Sequence, residues 1–137
     1  MSKPDGLILV DTSAWILGLK QNCSEILKKI LTEILDKDHV CICGIILLEI
    51  LQGTRTKKEY YAIYSDLKAL HYFEVNQEIW IRASQLGYDL RRKGKTIPSA
   101  DLLIASIAIY YNLYLLHADQ HFEIIKQISD LKTRSVN

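Results

Sequence analysis

The chain has 137 residues, 49% of them apolar and 24% charged, with 17 Lys plus Arg against 16 Asp plus Glu and a net charge of +1. This fits one globular domain over residues 1–137 that buries roughly two-thirds of its unfolded surface. It excludes a disordered chain and, with 6 Gly and 2 Pro, a collagen-like one, and it carries no global signal for nucleic acid. Residues 7–10 form a short continuous apolar run, the mark of a strand buried on both faces in a parallel sheet. Asp11, Thr12 and Ser13 then offer caps for a helix beginning at Ala14. Residues 24–35 carry a doubled helical stripe of Ile26, Leu27, Ile30, Leu31, Ile34 and Leu35. Residues 39–43 read as a second strand, and residues 45–51 as a helix ended by Gly53. A helix is expected over 57–70, with Tyr60, Tyr61, Ile63, Tyr64 and Leu67 on one broad face, then a strand over 72–75. A long helix from Asn76 or Gln77 ends in the basic run Arg91-Arg92-Lys93-Gly94-Lys95. The most apolar helix, 100–111, is closed by Asn112, and strand 113–116, helix 119–128 and an edge strand within 131–136 complete the chain.

Strands alternating with helices imply right-handed crossovers and a mostly parallel sheet covered on both faces, a three-layer α/β/α class. Such sheets bind ligands at the carboxyl ends of their strands. Cys41 and Cys43, two apart in a strand, share a face and read as small core residues; with Cys23 they suggest reduced thiols and a cytoplasmic home. Residues 1–6 lead into only four apolar residues, so no secretory signal is expected, and Glu49 and Asp101 interrupt the longest apolar stretches, so neither is a membrane span.

Four acids occupy unusual positions. Asp11 ends a buried strand, Glu49 lies inside the apolar helix 45–51, Asp101 opens the most apolar helix, and Asp119 follows the strand 113–116. Each has an ordinary explanation: an N-cap for Asp11 and Asp119, a surface-facing turn for Glu49, a macrodipole acid behind Ser99 for Asp101. The parallel topology nevertheless lets all four converge on one crevice. Clustered carboxylates repel and raise one another's pKa values unless a cation neutralises them. Oxygen ligands without Cys select hard ions, Mg²⁺ or Mn²⁺, which activate water and neutralise phosphate charge.

These residues carry a family resemblance. Leu9-Val10-Asp11-Thr12-Ser13-Ala14-Trp15, Leu48-Glu49-Ile50-Leu51-Gln52-Gly53, Ile97-Pro98-Ser99-Ala100-Asp101 and His117-Ala118-Asp119-Gln120-His121-Phe122 resemble, in order, the four motifs of PIN-domain ribonucleases, specifically VapC-type toxins of toxin–antitoxin pairs. The resemblance implies an Mg²⁺-dependent endoribonuclease with Mn²⁺ as substitute. Asp11, Asp101 and Asp119 would surround the ion, Glu49 would reach it or a second ion through water, and Thr12 or Ser13 would supply a hydroxyl, with Ser99 and His117 supporting. It further implies a homodimer, a VapB-like antitoxin whose C-terminal segment lies across the groove, and no membrane. Tyr60, Tyr61, Tyr64 and Leu67 are a candidate face for either partner. Two positions depart from the family pattern: His117 stands where Thr or Ser is usual, and His121 where a further acid is common, which removes an extra ligand and implies a single metal. Taken alone, each His reads as a polar loop residue.

Removing the four acids from a net +1 leaves the remaining chain at +5. Part of that surplus, Arg55, Lys57 and Lys58 after the second motif and Arg91, Arg92, Lys93 and Lys95 before the third, flanks the crevice and is suited to RNA phosphates. A solvated helix end explains the second group equally well. A phosphoacceptor module would need a paired acid after the first strand, where Thr12-Ser13 stands; a catalytically silent PIN-like module would lose acids, and all four are present. A housekeeping RNA-processing nuclease stays open beside the toxin.

Overall fold

The computed structural model describes residues 6–136. In chain order the elements are β1 (Ile8–Val10), α1 (Thr12–Gly18), α2 (Glu25–Asp36), β2 (Val40–Cys43), α3 (Gly44–Gln52), α4 (Lys57–Leu67), β3 (His71–Phe73), α5 (Gln77–Arg92), α6 (Ser99–Tyr110), β4 (Tyr114–His117), α7 (Gln120–Lys126) and β5 (Lys132–Ser135). The sheet order is β3-β2-β1-β4-β5, and every pairing is parallel. From β1 the chain winds one way to β2 and β3, then returns across the sheet to β4 and β5. Right-handed crossovers travelling in opposite directions place their helices on opposite faces. Accordingly α1 packs on α2 and α3, and α3 on α4, whereas α5 packs on α6 and α6 on α7. The result is the expected three-layer α/β/α fold.

Burial explains why each segment adopts its element. In β2 all four residues are buried, Cys41 and Cys43 included. Seven consecutive residues of α6, Leu102–Ala108, are buried, so this helix is apolar all round and sits at the centre of the core. Helix α2 starts where Ser24 Oγ accepts from Leu27 N at 3.1 Å and buries Leu27, Leu31 and Ile34, but Ile26 and Leu35 of the doubled stripe stay exposed. Asn112, at φ 56°, turns the chain out of α6 in the left-handed conformation that Asn tolerates.

Several expectations shift at their edges. Helix α4 stops at Leu67, not residue 70, and β3 occupies 71–73, not 72–75, because Leu67 and Phe73 are the apolar positions that reach the core. The tyrosine face splits: Leu67 is buried, whereas Tyr60, Tyr61 and Tyr64 are exposed and stack on one another at ring separations of 5.2 and 6.4 Å. Leu67 is therefore unavailable to a partner. Among the described residues no helix is long and apolar enough to cross a membrane. Residues 1–5, the expected start without a secretory signal, lie outside the described residues.

Candidate active site

The sheet order reverses between β1 and β4, the place where parallel sheets open a crevice beyond their carboxyl ends. Leu9 pairs with Leu115 and Val10 with Leu116, and Asp11 N donates to Leu116 O at 2.9 Å, so Asp11 emerges beside His117 at that crevice. Asp11 caps α1 and is almost fully buried. Its Oδ2 accepts from Ser13 N at 3.0 Å and from Ser13 Oγ at 2.5 Å, and Ser13 Oγ in turn accepts from Ala118 N at 2.9 Å. Ser13 thus ties the end of β1 to the end of β4. Burial raises the Asp11 pKa above its usual range against these hydrogen bonds, with the Asp119 carboxylate adding to the rise.

Asp101 stands in the first turn of α6, whose start lacks a side-chain cap. Burial raises its pKa too, and Asp119 and Asp11 push it further, which places the three carboxylates within electrostatic reach of one another. Asp119 caps α7 by accepting from His121 N at 3.0 Å. His121 Nδ1 lies 2.8 Å from Asp101 Oδ2 and 3.2 Å from Asp119 Oδ1. A nitrogen facing two carboxylates carries the ring's proton. Glu49 is half-buried on α3, and its Oε1 accepts from Thr12 Oγ1 at 2.8 Å. It borders a cavity of about 850 Å³ shared with Ile16, Leu19, Ile50, Arg55 and Ile63.

Two readings of histidine are corrected. His117 is no loop residue: it closes β4 with its side chain 1% exposed. Its Nδ1 accepts from Asp119 N at 3.1 Å, so its Nε2 is the protonated nitrogen and donates to Glu123 Oε2 at 2.8 Å. Thr133 Oγ1 of β5 donates to the same oxygen at 2.6 Å. These two donors hold the Glu123 pKa below its usual range. His117 therefore anchors the backbone that carries Asp119, and Glu123, which the sequence did not single out, anchors His117. His121, in turn, offers a nitrogen at the position where an acid was expected. One donor atom each from Asp101, Asp119 and His121 lies within 4.8 Å of the others, a spacing that suits one cation. The signal available in sequence was only the i, i+2 placement of Asp119 and His121 around a helix cap.

Of the other site candidates, Asp11 borders this trio and Glu49 reaches Asp11's turn through Thr12. Arg55 borders Glu49's cavity, while the exposed Lys57 and Lys95 line none of the described cavities that hold Glu49 or Ser99. Arg91 and Arg92 line a separate cavity with Ser99.

A family model described as PIN domain matches residues 8–127. The chain belongs to the PIN domain family. It is also 30% identical over 134 residues to the VapC ribonuclease Mb1587 of Mycobacterium bovis, covering 94% of this chain and 98% of that protein. Among solved structures it resembles VapBC2 from Rickettsia felis bound to a promoter DNA fragment, with TM-score 0.78 at 21% identity over 96% of this chain and 99% of that one. VapBC from Salmonella typhimurium bound to DNA aligns with TM-score 0.77 at 20% identity over 95% and 98%. The matched region thus spans β1 to β4 of the five-stranded sheet, and its carboxylates lie at the sheet's switch point.

Proposed function

We propose that this chain is a metal-dependent endoribonuclease and the toxin of a VapBC-type toxin–antitoxin pair. The observation that carries the reading is the convergence of Asp11, Asp101, Asp119 and His121 on the switch point of a PIN fold whose 30%-identical relative is a VapC ribonuclease.

The donor set fits a divalent cation. It offers hard oxygens and one nitrogen, and its buried carboxylates are electrostatically uncomfortable without positive charge. Asp101, Asp119 and His121 would hold the ion, with Asp11 beside them. Mg²⁺ is the reading for such oxygen-rich sites, with Mn²⁺ as substitute favoured by the His121 nitrogen. Bound there, the ion would lower the pKa of water and offset charge on the phosphate.

The remaining steps belong to the protein. Ser13 fixes one oxygen of Asp11, and the Thr12 backbone adds a further hydrogen bond to the same carboxylate. Thr12 occupies Oε1 of Glu49, so Oε2 accepts a hydrogen bond from the attacking water, and Arg55 binds phosphate in the same cavity. His117 holds the Asp119 backbone in place. The apolar wall of that cavity, Ile16, Leu19, Ile50 and Ile63, receives the antitoxin's C-terminal segment, and exposed Tyr60, Tyr61 and Tyr64 serve a homodimer contact.

The purified chain should cut single-stranded RNA with Mg²⁺ or Mn²⁺ and not with EDTA. Co-expression with the product of a short adjacent gene should yield an inactive complex, and light scattering should give a dimer mass. Metal-independent cleavage, or none with either ion, would overturn the reading.

A further inference from the structure

The cavity on the far side of the α6 start has a different character from the acid crevice. It holds about 370 Å³ between α5 and α6, is lined by Tyr88, Arg91, Arg92, Ile97 and Ser99, and has no carboxylate among its lining residues. Helix α6 starts at Ser99, and Asp101 follows two residues later. Side chains two apart on a helix point to opposite sides of a cylinder roughly 10 Å across, so Ser99 faces this cavity and Asp101 the acid crevice across the width of α6. Gly87 lets the helices close here, because a Cβ at that position would meet Leu102 Cδ1 at 2.9 Å.

Tyr88 is 62% exposed, and the Arg92 guanidinium lies over its ring at 4.8 Å. This plane of ring and guanidinium serves no core packing. Arg91, Arg92, Lys93 and Lys95 are all exposed around it. A polyanion in the acid crevice faces a cluster of carboxylates, and these cations stand across α6 from them, beside Ser99 in the same first turn as Asp101. An aromatic ring with a stacked guanidinium, edged by cations, is the chemistry that holds an unpaired base and its phosphate.

We infer that Tyr88 and Arg92 form a base-stacking subsite that seats one unpaired nucleotide of single-stranded RNA next to the bond cut at the acid crevice. The inference rests on the ribonuclease reading above. Duplex RNA is excluded as the occupant, because its bases are stacked on one another and its grooves hide their faces.

The test uses the full chain with Mn²⁺ and a short single-stranded RNA that it cuts, compared with the same RNA carrying single abasic positions. Tyr88→Ala should raise KM about tenfold with kcat nearly unchanged, and Tyr88→Phe should keep affinity near the wild type. An abasic position at the subsite should weaken the wild type by a similar factor and leave Tyr88→Ala little further affected. The matched control is Tyr114, 47% exposed with Lys132 over its ring at 4.8 Å, at the opposite end of β4; Tyr114→Ala should change nothing. Equal KM for Tyr88→Ala and the wild type, or equal losses for Tyr88→Ala and Tyr114→Ala, would overturn the subsite. So would loss of affinity that tracks a change in oligomeric mass, which would make this face a contact between copies. Absence of cleavage by the wild type would instead strike the ribonuclease reading itself.

Discussion

His121 Nδ1 lies 2.8 Å from Asp101 Oδ2, a contact made across twenty residues and between the first turns of two helices. The same nitrogen is 3.2 Å from Asp119 Oδ1, so one proton sits among three potential donors. A divalent ion held by these atoms would take the Nδ1 lone pair, so the ring's proton would move to Nε2 and the imidazole would change tautomer. His121→Ala should weaken Mn²⁺ binding by roughly tenfold to a hundredfold, the range found when groups around a metal are removed. His121→Asp should recover much of it. Calorimetry with Mn²⁺ checks the affinity; identical heats and affinities for wild type and His121→Ala would remove this residue from the metal site.

Asp11 and Asp101 define a pH dependence. Burial raises both pKa values above the unfolded range, so the folded state disfavours their charged forms. Metal-free protein should therefore lose the contribution of these groups as pH rises from the unfolded value of 3.8 through their raised folded values, and regain it as pH falls. Divalent ion should flatten or reverse that slope. Asp11→Asn and Asp101→Asn should raise the metal-free Tm by about 3 °C for each kcal/mol of repulsion relieved, while abolishing RNA cleavage. Thermal melts of the wild type and the two Asn variants across a pH series, with and without Mn²⁺, decide it; a metal-free gap between variant and wild type that does not widen as pH rises would contradict the assignment.

Glu123 works in the opposite sense and in a lower window. Its pKa is held below the ordinary value by Thr133 and His117, so its stabilising contribution is complete above pH 4.5 and disappears as pH falls through the lower folded value. Urea unfolding of the wild type and Glu123→Gln should show a stability gap at pH 6 that closes toward pH 3. A gap of constant size would mean that the carboxylate's charge is irrelevant to the network.

Burial pushes the Cys43 thiol up to about 11, and Cys41 is fully buried beside it. Both should be inert toward a thiol-specific dye in the native protein at pH 8, leaving Cys23 as the reactive position, and all three should react in denaturant. Because the Cys43 pKa is raised, stability should decline between about pH 9 and 11 as the unfolded thiol ionises first. Native labelling of a second cysteine would show that β2 opens more readily than its burial implies.

The basic flank predicts a salt signature. Replacing Arg91, Arg92 and Lys95 together with Ala should weaken RNA binding and flatten its dependence on log salt by roughly 0.7 for each phosphate that is no longer neutralised. Metal affinity should stay put, since no ligand has been touched. An unchanged slope would return these residues to the role of a solvated helix end.

What the chain's own sequence determined is the part of the fold written in local pattern. Four-residue apolar runs alternating with capped amphipathic stretches specify parallel strands and crossover helices, and acids just after strands lie at carboxyl ends whatever the strand order. The exact ends of α4 and β3 were not legible, because which residue last touches the core depends on the sheet above it. Tertiary structure alone decided the pairing of β1 with β4, which sets Asp11 beside His117 and Asp119 and lets Ser13 bridge them. It alone brought the first turns of α6 and α7 together, setting a His121 nitrogen between the carboxylates of Asp101 and Asp119. It also turned His117 inward to hold the Asp119 backbone, where sequence read a loop residue. The physical reason is range. Caps and periodicity act over a few residues and are written in the neighbouring side chains, whereas a site built from four strand and helix ends depends on sheet order, which is fixed by core packing between segments far apart in the chain.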